Sequence, residues 1–165
     1  MQIKKITAKN FYSFRNLDID FSKLEGITRI LGRNKDSGGS NGAGKSVLFE
    51  AVTWGLYGSF FRTSTEAALV NSQAGQDCSV RIVLDKRGVG TIVITRAKRP
   101  SCLDVEVNGK LVNKANATQT QDYLEDLIES DFKSFLASVV FGQHSNFTFL
   151  DSSPEDKRKI IKNCF

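Results

Sequence analysis

The 165-residue sequence predicts an α/β domain in which a strand, a glycine-rich turn and a helix follow one another. Three observations support this fold class. Residues 27–31 (Ile-Thr-Arg-Ile-Leu) form an apolar run typical of a buried strand, and residues 46–57 have the apolar content of a helix that packs on a core. The segment between them, 39–46, reads Gly-Ser-Asn-Gly-Ala-Gly-Lys-Ser and fits G-x-x-x-x-G-K-[ST] at every fixed position. This order is the context that a phosphate-binding loop requires.

The chemistry of a phosphate chain explains why the motif has these residues. Glycines allow the positive φ angles that bring backbone N–H groups against phosphate oxygens, and the helix N-terminus adds partial positive charge. Lys45 is expected to reach the β- and γ-phosphates as a catalytic residue, and the Ser46 hydroxyl is expected to ligate Mg²⁺. The predicted nucleotide-binding set is Gly39, Ser40, Asn41, Gly42, Ala43, Gly44, Lys45, Ser46 and Val47. A flexible Gly/Ser linker is the alternative, but a linker need not end in Gly-Lys-Ser between a strand and a helix.

Composition limits the other classes of protein. Hydrophobic residues make up 40% and charged residues 25%, as in a globular domain, and no apolar run approaches the roughly 20 residues that span a bilayer. The N-terminus does not resemble a secretion signal, so we expect a cytoplasmic protein without membrane contact. The three cysteines lack a C-x-x-C pair, which favours reduced thiols over a zinc or disulfide site. A net charge of +5 permits contact with polyanions.

The remaining sequence predicts an antiparallel meander and three helices. Residues 3–11 and 17–21 read as an antiparallel pair, and 58–65 as a surface excursion. Four strands follow within 78–112, and the Asn108-Gly109 pair between the last two predicts a tight type I′ hairpin. Residues 117–129 predict a helix whose apolar face carries Tyr123, Leu124, Leu127 and Ile128. Asp131 is expected to cap a short second helix, and Ser153 a third helix that continues through residue 165 as part of a longer one.

Hydrolysis of a nucleotide usually needs an acid that holds Mg²⁺ or orients water, and none is evident. Asp85 follows an apolar strand, but it faces a turn and is predicted to be solvated. Asp151 follows another apolar run and is predicted to belong to a helix cap. We therefore expect the catalytic acid to lie outside this chain.

Four motifs resemble one protein family in order and spacing. Lys9-Asn-Phe-Tyr-Ser-Phe14, Asn41-Gly-Ala-Gly-Lys-Ser46, residues 50–58 (Glu-Ala-Val-Thr-Trp-Gly-Leu-Tyr-Gly) and Val140-Phe-Gly-Gln143 look like the SbcC-type ATPases of DNA double-strand-break processing. These are relatives of the structural-maintenance-of-chromosomes (SMC) proteins in the ABC superfamily, and the phage recombination exonuclease and endonuclease ATPase subunits look most similar. The resemblance covers nearly the whole chain.

The resemblance implies one half of a split P-loop ATPase head of ABC/SMC type, with a mixed sheet and an antiparallel meander. Residues 1–150 would be the N-terminal lobe with the Walker A and glutamine loops, and 151–165 the start of a coiled coil. The implied cofactors are ATP and Mg²⁺. The implied partners are the C-terminal lobe of the same ATPase, a second head in a homodimer, an SbcD-type metallo-nuclease and double-stranded DNA. The C-terminal lobe would bring the signature motif and the Walker B acids, so the fragment alone would be inactive.

The resemblance also implies roles for single residues. Gln143 would complete the Mg²⁺ shell and sense the γ-phosphate, where the alternative is a surface glutamine; neighbouring His144 is expected to face solvent. Relatives often carry Arg where this chain has Tyr12, so Ser13, with Arg15, is the candidate nucleotide contact at this turn.

Two basic segments carry weaker predictions. The segment 32–38 is an insertion relative to the family, either tolerated or a lid that uses Arg33 or Lys35. Basic residues at the start of the predicted coiled coil would either contact DNA phosphates or form a solvent-exposed helix face: Lys157, Arg158, Lys159 and Lys162.

Two other functions fit parts of the sequence. A small P-loop kinase would share the phosphate-binding loop, but it would require a parallel sheet with its own acidic strand end. A structural chromosome-organising head of SMC type, without a nuclease partner, would share every motif in this lobe.

Overall fold

The fold is a six-stranded sheet with helices packed on one face. A computed structural model of the chain describes residues 1–33, 38–39, 44–60, 68–139, 153–155, 157–158 and 161. In chain order its elements are β1 (Gln2–Phe11), β2 (Phe14–Asp20), a 3₁₀ turn (Phe21–Lys23), α1 (Lys45–Tyr57), β3 (Cys78–Lys86), β4 (Gly90–Lys98), β5 (Cys102–Val107), β6 (Lys110–Leu111), α2 (Ala117–Ile128) and α3 (Phe132–Val139). The strand order across the sheet is β2-β1-β3-β4-β5-β6.

Strict alternation along β3 sets the inner face of the sheet. Cys78, Val80, Ile82 and Leu84 are buried, while the residues between them point to the other, more polar face. Since side chains alternate with a period of two, this pattern fixes the register against β4, where Ile82 lies opposite Ile94. The predicted meander is therefore confirmed, including the hairpin turn at Asn108 and Gly109, which both have positive φ.

β1 joins the predicted N-terminal hairpin and the meander into a single sheet. It pairs antiparallel with β2 on one side and antiparallel with β3 on the other. The α/β fold class is confirmed. Every ladder in the described part of the chain is antiparallel, and the parallel component of the predicted mixed sheet stays a prediction.

The predicted strand at 27–31 is wrong. These residues have no regular secondary structure, Ile27 is fully exposed and Leu31 is 75% exposed. A strand is stabilised by neighbours that take up its N–H and C=O groups, and no described strand pairs with this segment. The segment is apolar, but the burial that this pattern predicts is not achieved within the described residues.

Helix α1 packs tightly against the inner face of β3, so most of its residues are buried. Gly55 lies at the closest approach: a Cβ added there would be 2.5 Å from Ile82 Cδ1 and 3.0 Å from Val80 Cγ1. Trp54 packs on the Phe11 ring with centroids 5.6 Å apart. These contacts fix the direction of α1 relative to β1 and β3, and with it the position of the helix N-terminus.

The later helices close the remaining part of the core and agree with their predicted caps. Leu124 and Ile128 of α2 are buried, with Tyr123 and Leu127 half-buried beside them. Asp131 accepts from Ser134 N at 2.8 Å and so caps α3, as predicted. Near the C-terminus, Lys157 N donates to Ser153 O at 2.9 Å, which fits the predicted helix start. No helix in the described residues is long and apolar enough to cross a membrane.

Candidate nucleotide-binding site

The N-terminus of α1 is the centre of the candidate site. Helix α1 begins at Lys45, directly after Gly44, which has left-handed backbone angles (φ 82°, ψ 5°) and no side chain to cap the helix. The first N–H groups of a helix have no partner within it, and here no side chain at the N-cap takes them up. Lys45 and Val47 are half-buried and Ser46 is exposed. This helix end therefore places backbone N–H groups, the Lys45 ammonium and the Ser46 hydroxyl close together at its first turn.

The turn between β1 and β2 lies directly against this helix start. A Cβ added to Gly44 would be 3.0 Å from Cζ of Phe14 and 3.5 Å from Oγ of Ser13. Position 44 therefore needs glycine twice over, for its positive φ and for this close approach. Ser13 is exposed, and its hydroxyl stands beside the end of the predicted phosphate loop.

Two adjoining cavities open beside the same turn. One, of about 590 Å³, lies between the turn and a later segment; its lining includes Tyr12, Ser13, Val47, Val70, Asn71 and Arg99. The other, of about 950 Å³, shares Tyr12, Ser13 and Asn71 and extends along Phe14 and Arg15. A third cavity, of about 360 Å³, lies between β4, β5 and α2 and contains none of the predicted site residues. The predicted site thus coincides with open space large enough for part of a nucleotide.

A segment that we call the strap, residues 68–77, holds the β1–β2 turn in place. Tyr12 N donates to Leu69 O at 2.8 Å, and Asn71 N donates to Asn10 O at 2.9 Å. The Asn71 side chain donates from Nδ2 to Tyr12 O at 2.7 Å. Farther along, Arg15 donates to Gln73 Oε1 at 2.8 Å. Both backbone and side chains of the strap therefore fix the turn that carries Ser13.

The other end of α1 is capped by a half-buried cation. Arg96 of β4 donates from Nε to Gly55 O at 3.3 Å and from Nη2 to Leu56 O at 3.5 Å, and it also bonds Gln121 of α2. Burial lowers the pKa of the Arg96 guanidinium to about 10, and the nearby Glu125 carboxylate opposes this shift. Positive charge at a helix C-terminus is favourable to the helix dipole. Arg96 therefore anchors α1 at the end remote from the candidate site.

Of the predicted site residues, the structure describes Ser13, Gly39, Gly44, Lys45, Ser46 and Val47. It brings Ser13 to Gly44 at the start of α1, while Gly39 is exposed in a bend. Outside the described residues lie the predicted Ser40, Asn41, Gly42, Ala43 and Gln143, together with Lys35, His144, Asp151, Lys159 and Lys162. The predictions for those residues stay predictions.

Most of the charged residues singled out in the sequence, where the structure describes them, are exposed to solvent. Asp85 is exposed beside the β3–β4 turn, as predicted for a solvated residue, and Arg33 and Arg158 are exposed. Arg15 is bonded to the strap and lines the larger cavity. No group of three or more His, Cys, Asp or Glu side chains able to hold a metal occurs among the described residues. Cys78 and Cys102 are free thiols.

Sequence reasoning missed two buried polar residues near the site. Glu50, one helical turn after Ser46 on α1, is fully buried, and Thr53 Oγ1 donates to the Glu50 carbonyl at 3.2 Å. The i, i+4 spacing from Ser46 was the available signal for Glu50. Asn71 lies in the strap and is 7% exposed. No pattern in the sequence links Asn71 to the β1–β2 turn, because its partner there, Tyr12 O, is about 60 residues away along the chain.

Comparisons with known proteins show the family to which this chain is similar. A family model described as AAA domain (AAA_23) matches residues 5–165. "Exonuclease subunit 2" of Enterobacteria phage T4 is 29% identical over 165 residues, covering 98% of this chain and 28% of its own length. A "DNA double-strand break repair Rad50 ATPase" of Methanococcus maripaludis is 31% identical over 98% of this chain and 15% of its own. The SbcC component of the nuclease SbcCD from Deinococcus radiodurans is 26% identical over 94% of this chain and 17% of its own. The chain therefore spans less than a third of each of these relatives.

Proposed function

Since the chain belongs to the AAA domain family AAA_23, we propose that it is the ATP-binding lobe of an SMC-like ATPase subunit that regulates a partner nuclease. The processes served would be DNA double-strand-break processing, recombination and replication. The observation that carries the proposal is the approach of Ser13 and Phe14 to Gly44 at the open start of α1. The relatives reported above are named as exonuclease, break-repair and SbcCD proteins.

ATP with Mg²⁺ is the ligand that best fits the described residues. The N-terminus of α1, Lys45 and the Ser46 hydroxyl would meet the phosphates and the metal. The cavity between Ser13, Val47 and Asn71 has room for the nucleoside. Residues 39–43 would complete the phosphate loop, and Gln143 would complete the metal shell and sense the γ-phosphate. ATP supplies the negative charge that a basic, uncapped helix start favours.

The proposed assembly places residues 1–150 in the N-terminal lobe and 151–165 at the start of a coiled coil. The sheet ends of the lobe and its exposed apolar segment 27–31 would be completed by the C-terminal lobe of the same ATPase. Hydrolysis would need the Walker B acids and signature motif from outside this chain, with ATP held between two heads. An SbcD-type metallo-nuclease and double-stranded DNA are the proposed partners, and the cytoplasm is the proposed location.

Nucleotide binding is tested by Lys45→Ala. The variant removes a charge-assisted contact of about 1.5–3 kcal/mol, so the Kd for Mg·ATP is expected to rise at least about tenfold. Titration with a fluorescent ATP analogue and competition with unlabelled ATP measure this Kd. Lys110→Ala, on the exposed strand β6 remote from α1, is the matched control and is expected to bind as the unmodified chain does. Equal affinities of the two variants for Mg·ATP would show that Lys45 does not contact the nucleotide.

The need for a second polypeptide is tested by ATP hydrolysis. The chain alone is expected to show no turnover, and turnover is expected on mixing with a separately expressed polypeptide that carries the C-terminal lobe. Robust turnover by the chain alone would mean that it carries its own catalytic acid. Co-purification of the assembled head with a metallo-nuclease supports the nuclease-linked function. A head that binds DNA without one would support the chromosome-organising alternative.

A further inference from the structure

We propose that Asn71 is a positioning residue of the nucleotide site, which holds the β1–β2 turn so that Ser13 and Phe14 stay against Gly44. The inference rests on the nucleotide binding proposed above, and it adds a residue that lies in none of the sequence motifs. Asn71 would act on the ligand through the turn and would not need to touch the phosphates.

The Asn71 side chain makes hydrogen bonds in two directions at once. Its Oδ1 accepts from Gln73 N at 3.1 Å and from Ala74 N at 3.3 Å, which folds the strap locally into a turn. Its Nδ2 donates to Tyr12 O at 2.7 Å, across about 60 residues of sequence. Asn71 is only 7% exposed, so water does not replace these bonds readily. One amide group thus joins the strap to the turn beside α1.

The β1–β2 turn needs such outside support because of its own backbone. The ladder ends with Phe11 opposite Phe14, which leaves Tyr12 and Ser13 as a two-residue turn. Tyr12 has φ 48°, and Asn10, two residues earlier on β1, has φ 51°. Favoured two-residue turns place Gly, Asn or Asp at a central position with positive φ, and a bulky side chain there is strained. The strap contributes two hydrogen bonds to Tyr12, one between Tyr12 N and Leu69 O and one between Tyr12 O and Asn71 Nδ2.

The bond to Tyr12 O bears directly on the site, because that carbonyl belongs to the peptide that leads into Ser13. Rotation of this peptide would move Ser13 and Phe14 together. Both residues lie close to the helix start, since a Cβ added to Gly44 would be 3.0 Å from Phe14 and 3.5 Å from Ser13. Losing the Asn71 bond is therefore expected to change the shape of the site at the start of α1 while the sheet stays intact.

Asn71→Asp tests this proposal with the smallest change in shape. An aspartate keeps an oxygen for Gln73 N and Ala74 N but sets a second oxygen against Tyr12 O, where no hydrogen bond forms. We expect the Kd for Mg·ATP to rise at least about tenfold, measured at a temperature where circular dichroism shows the variant fully folded. A residue with a structural role alone would change the melting temperature without changing this Kd.

Asn108→Asp is the matched control. Asn108 also bridges two backbone groups with its amide, from Nδ2 to Val89 O at 2.9 Å and from Thr91 N to Oδ1 at 3.0 Å, and it lines none of the cavities at the site. It is expected to lose stability and keep ATP affinity within about twofold. Equal affinities of Asn71→Asp, Asn108→Asp and the unmodified chain would overturn the proposal.

Two further measurements distinguish failure of the Asn71 proposal from failure of the proposed nucleotide binding. If the unmodified chain does not bind Mg·ATP, or if Lys45→Ala binds equally well, the proposed function itself fails. Asn71→Ser removes the bond to Tyr12 O without placing a negative charge in the cavity beside ATP, and it also serves if Asn71→Asp does not fold. A serine hydroxyl accepts from Gln73 N at such turns but is too short to reach Tyr12 O. The same tenfold loss is expected of Asn71→Ser, and unchanged affinity would overturn the proposal.

Discussion

Two apolar segments of similar composition differ in structure: one is a buried strand and the other is exposed and irregular. Residues 80–84 (Val-Arg-Ile-Val-Leu) lie in the middle of β3, and Ile82 is fully buried. Residues 27–31 (Ile-Thr-Arg-Ile-Leu) form no strand, and Ile27 is fully exposed. The difference lies in the partners: β3 has β1 on one side and β4 on the other, whereas no described strand accompanies 27–31. An apolar run therefore predicts a tendency to be buried, and the neighbours determine whether burial occurs.

Truncating a side chain within the buried segment 80–84 should have the largest effect on stability. Ile82→Ala would remove a side chain that packs between the sheet and Gly55 of α1. We expect the free energy of unfolding to fall by about 2–5 kcal/mol, the range for large-to-small changes in a core. Chemical denaturation followed by circular dichroism measures this change. A loss below about 1 kcal/mol would mean that β3 is much less well packed than its burial indicates.

The buried thiol of β3 should give a smaller, pH-dependent effect. Burial raises the pKa of Cys78 to about 11, whereas an unfolded thiol ionises near 8.5. The stability from the neutral thiol is therefore complete below about pH 8.5 and is lost as pH rises through about 11. In this window the free energy of unfolding should fall by at most about 1.4 kcal/mol per pH unit from this group.

Comparison of two variants isolates this contribution. Cys78→Ala should flatten the fall in stability between about pH 8.5 and about pH 11. Cys102→Ala is the control, because Cys102 is only half-buried and its pKa is raised chiefly by a hydrogen bond to Asp104. It should flatten the curve less. Parallel curves for the unmodified chain and Cys78→Ala would show that Cys78 ionises as easily folded as unfolded.

The exposed segment should give the smallest effect on stability but a visible one on association. Ile27→Ser and Leu31→Ser change side chains that face solvent, so each should alter the free energy of unfolding by no more than about 0.5 kcal/mol. Light scattering should show less self-association of the double variant, because an exposed apolar patch is removed. Leu111→Ser, at an exposed position on β6, is the control. A large loss of stability would show that 27–31 packs on the core.

The sequence predicted the elements whose signals are local. The strands of the meander, the turn at Asn108 and the cap of α3 at Asp131 each follow from a few neighbouring residues, and each is confirmed. The start of α1 also agreed, because the glycine-rich motif marks it. The strand at 27–31 was wrong for the opposite reason, since its formation depends on pairing partners that local sequence does not supply.

The candidate site likewise contains some residues that local sequence predicts and others that only distant contacts determine. Gly44, Lys45 and Ser46 could be predicted from the motif, and Ser13 from the family resemblance. The strap could not be predicted, because Asn71 contacts the turn through a hydrogen bond that spans about 60 residues. The closeness of Phe14 to Gly44 likewise depends on the packing of a hairpin against a helix start, and the sequence alone does not specify it.

The pairing of β1 with β3 has a consequence for how the chain reaches its fold. Between these neighbouring strands lie about 65 residues, which include the predicted phosphate loop and α1, so their contact closes a long loop. The hairpins of the meander need only short closures and are expected to form earlier along the folding pathway. Closure entropy grows only with the logarithm of loop length, so about seven further residues near position 35 would cost about 0.1 kcal/mol. Insertions in the predicted phosphate loop therefore destabilise the sheet very little, and the loop can diverge while the strands around it keep their registers.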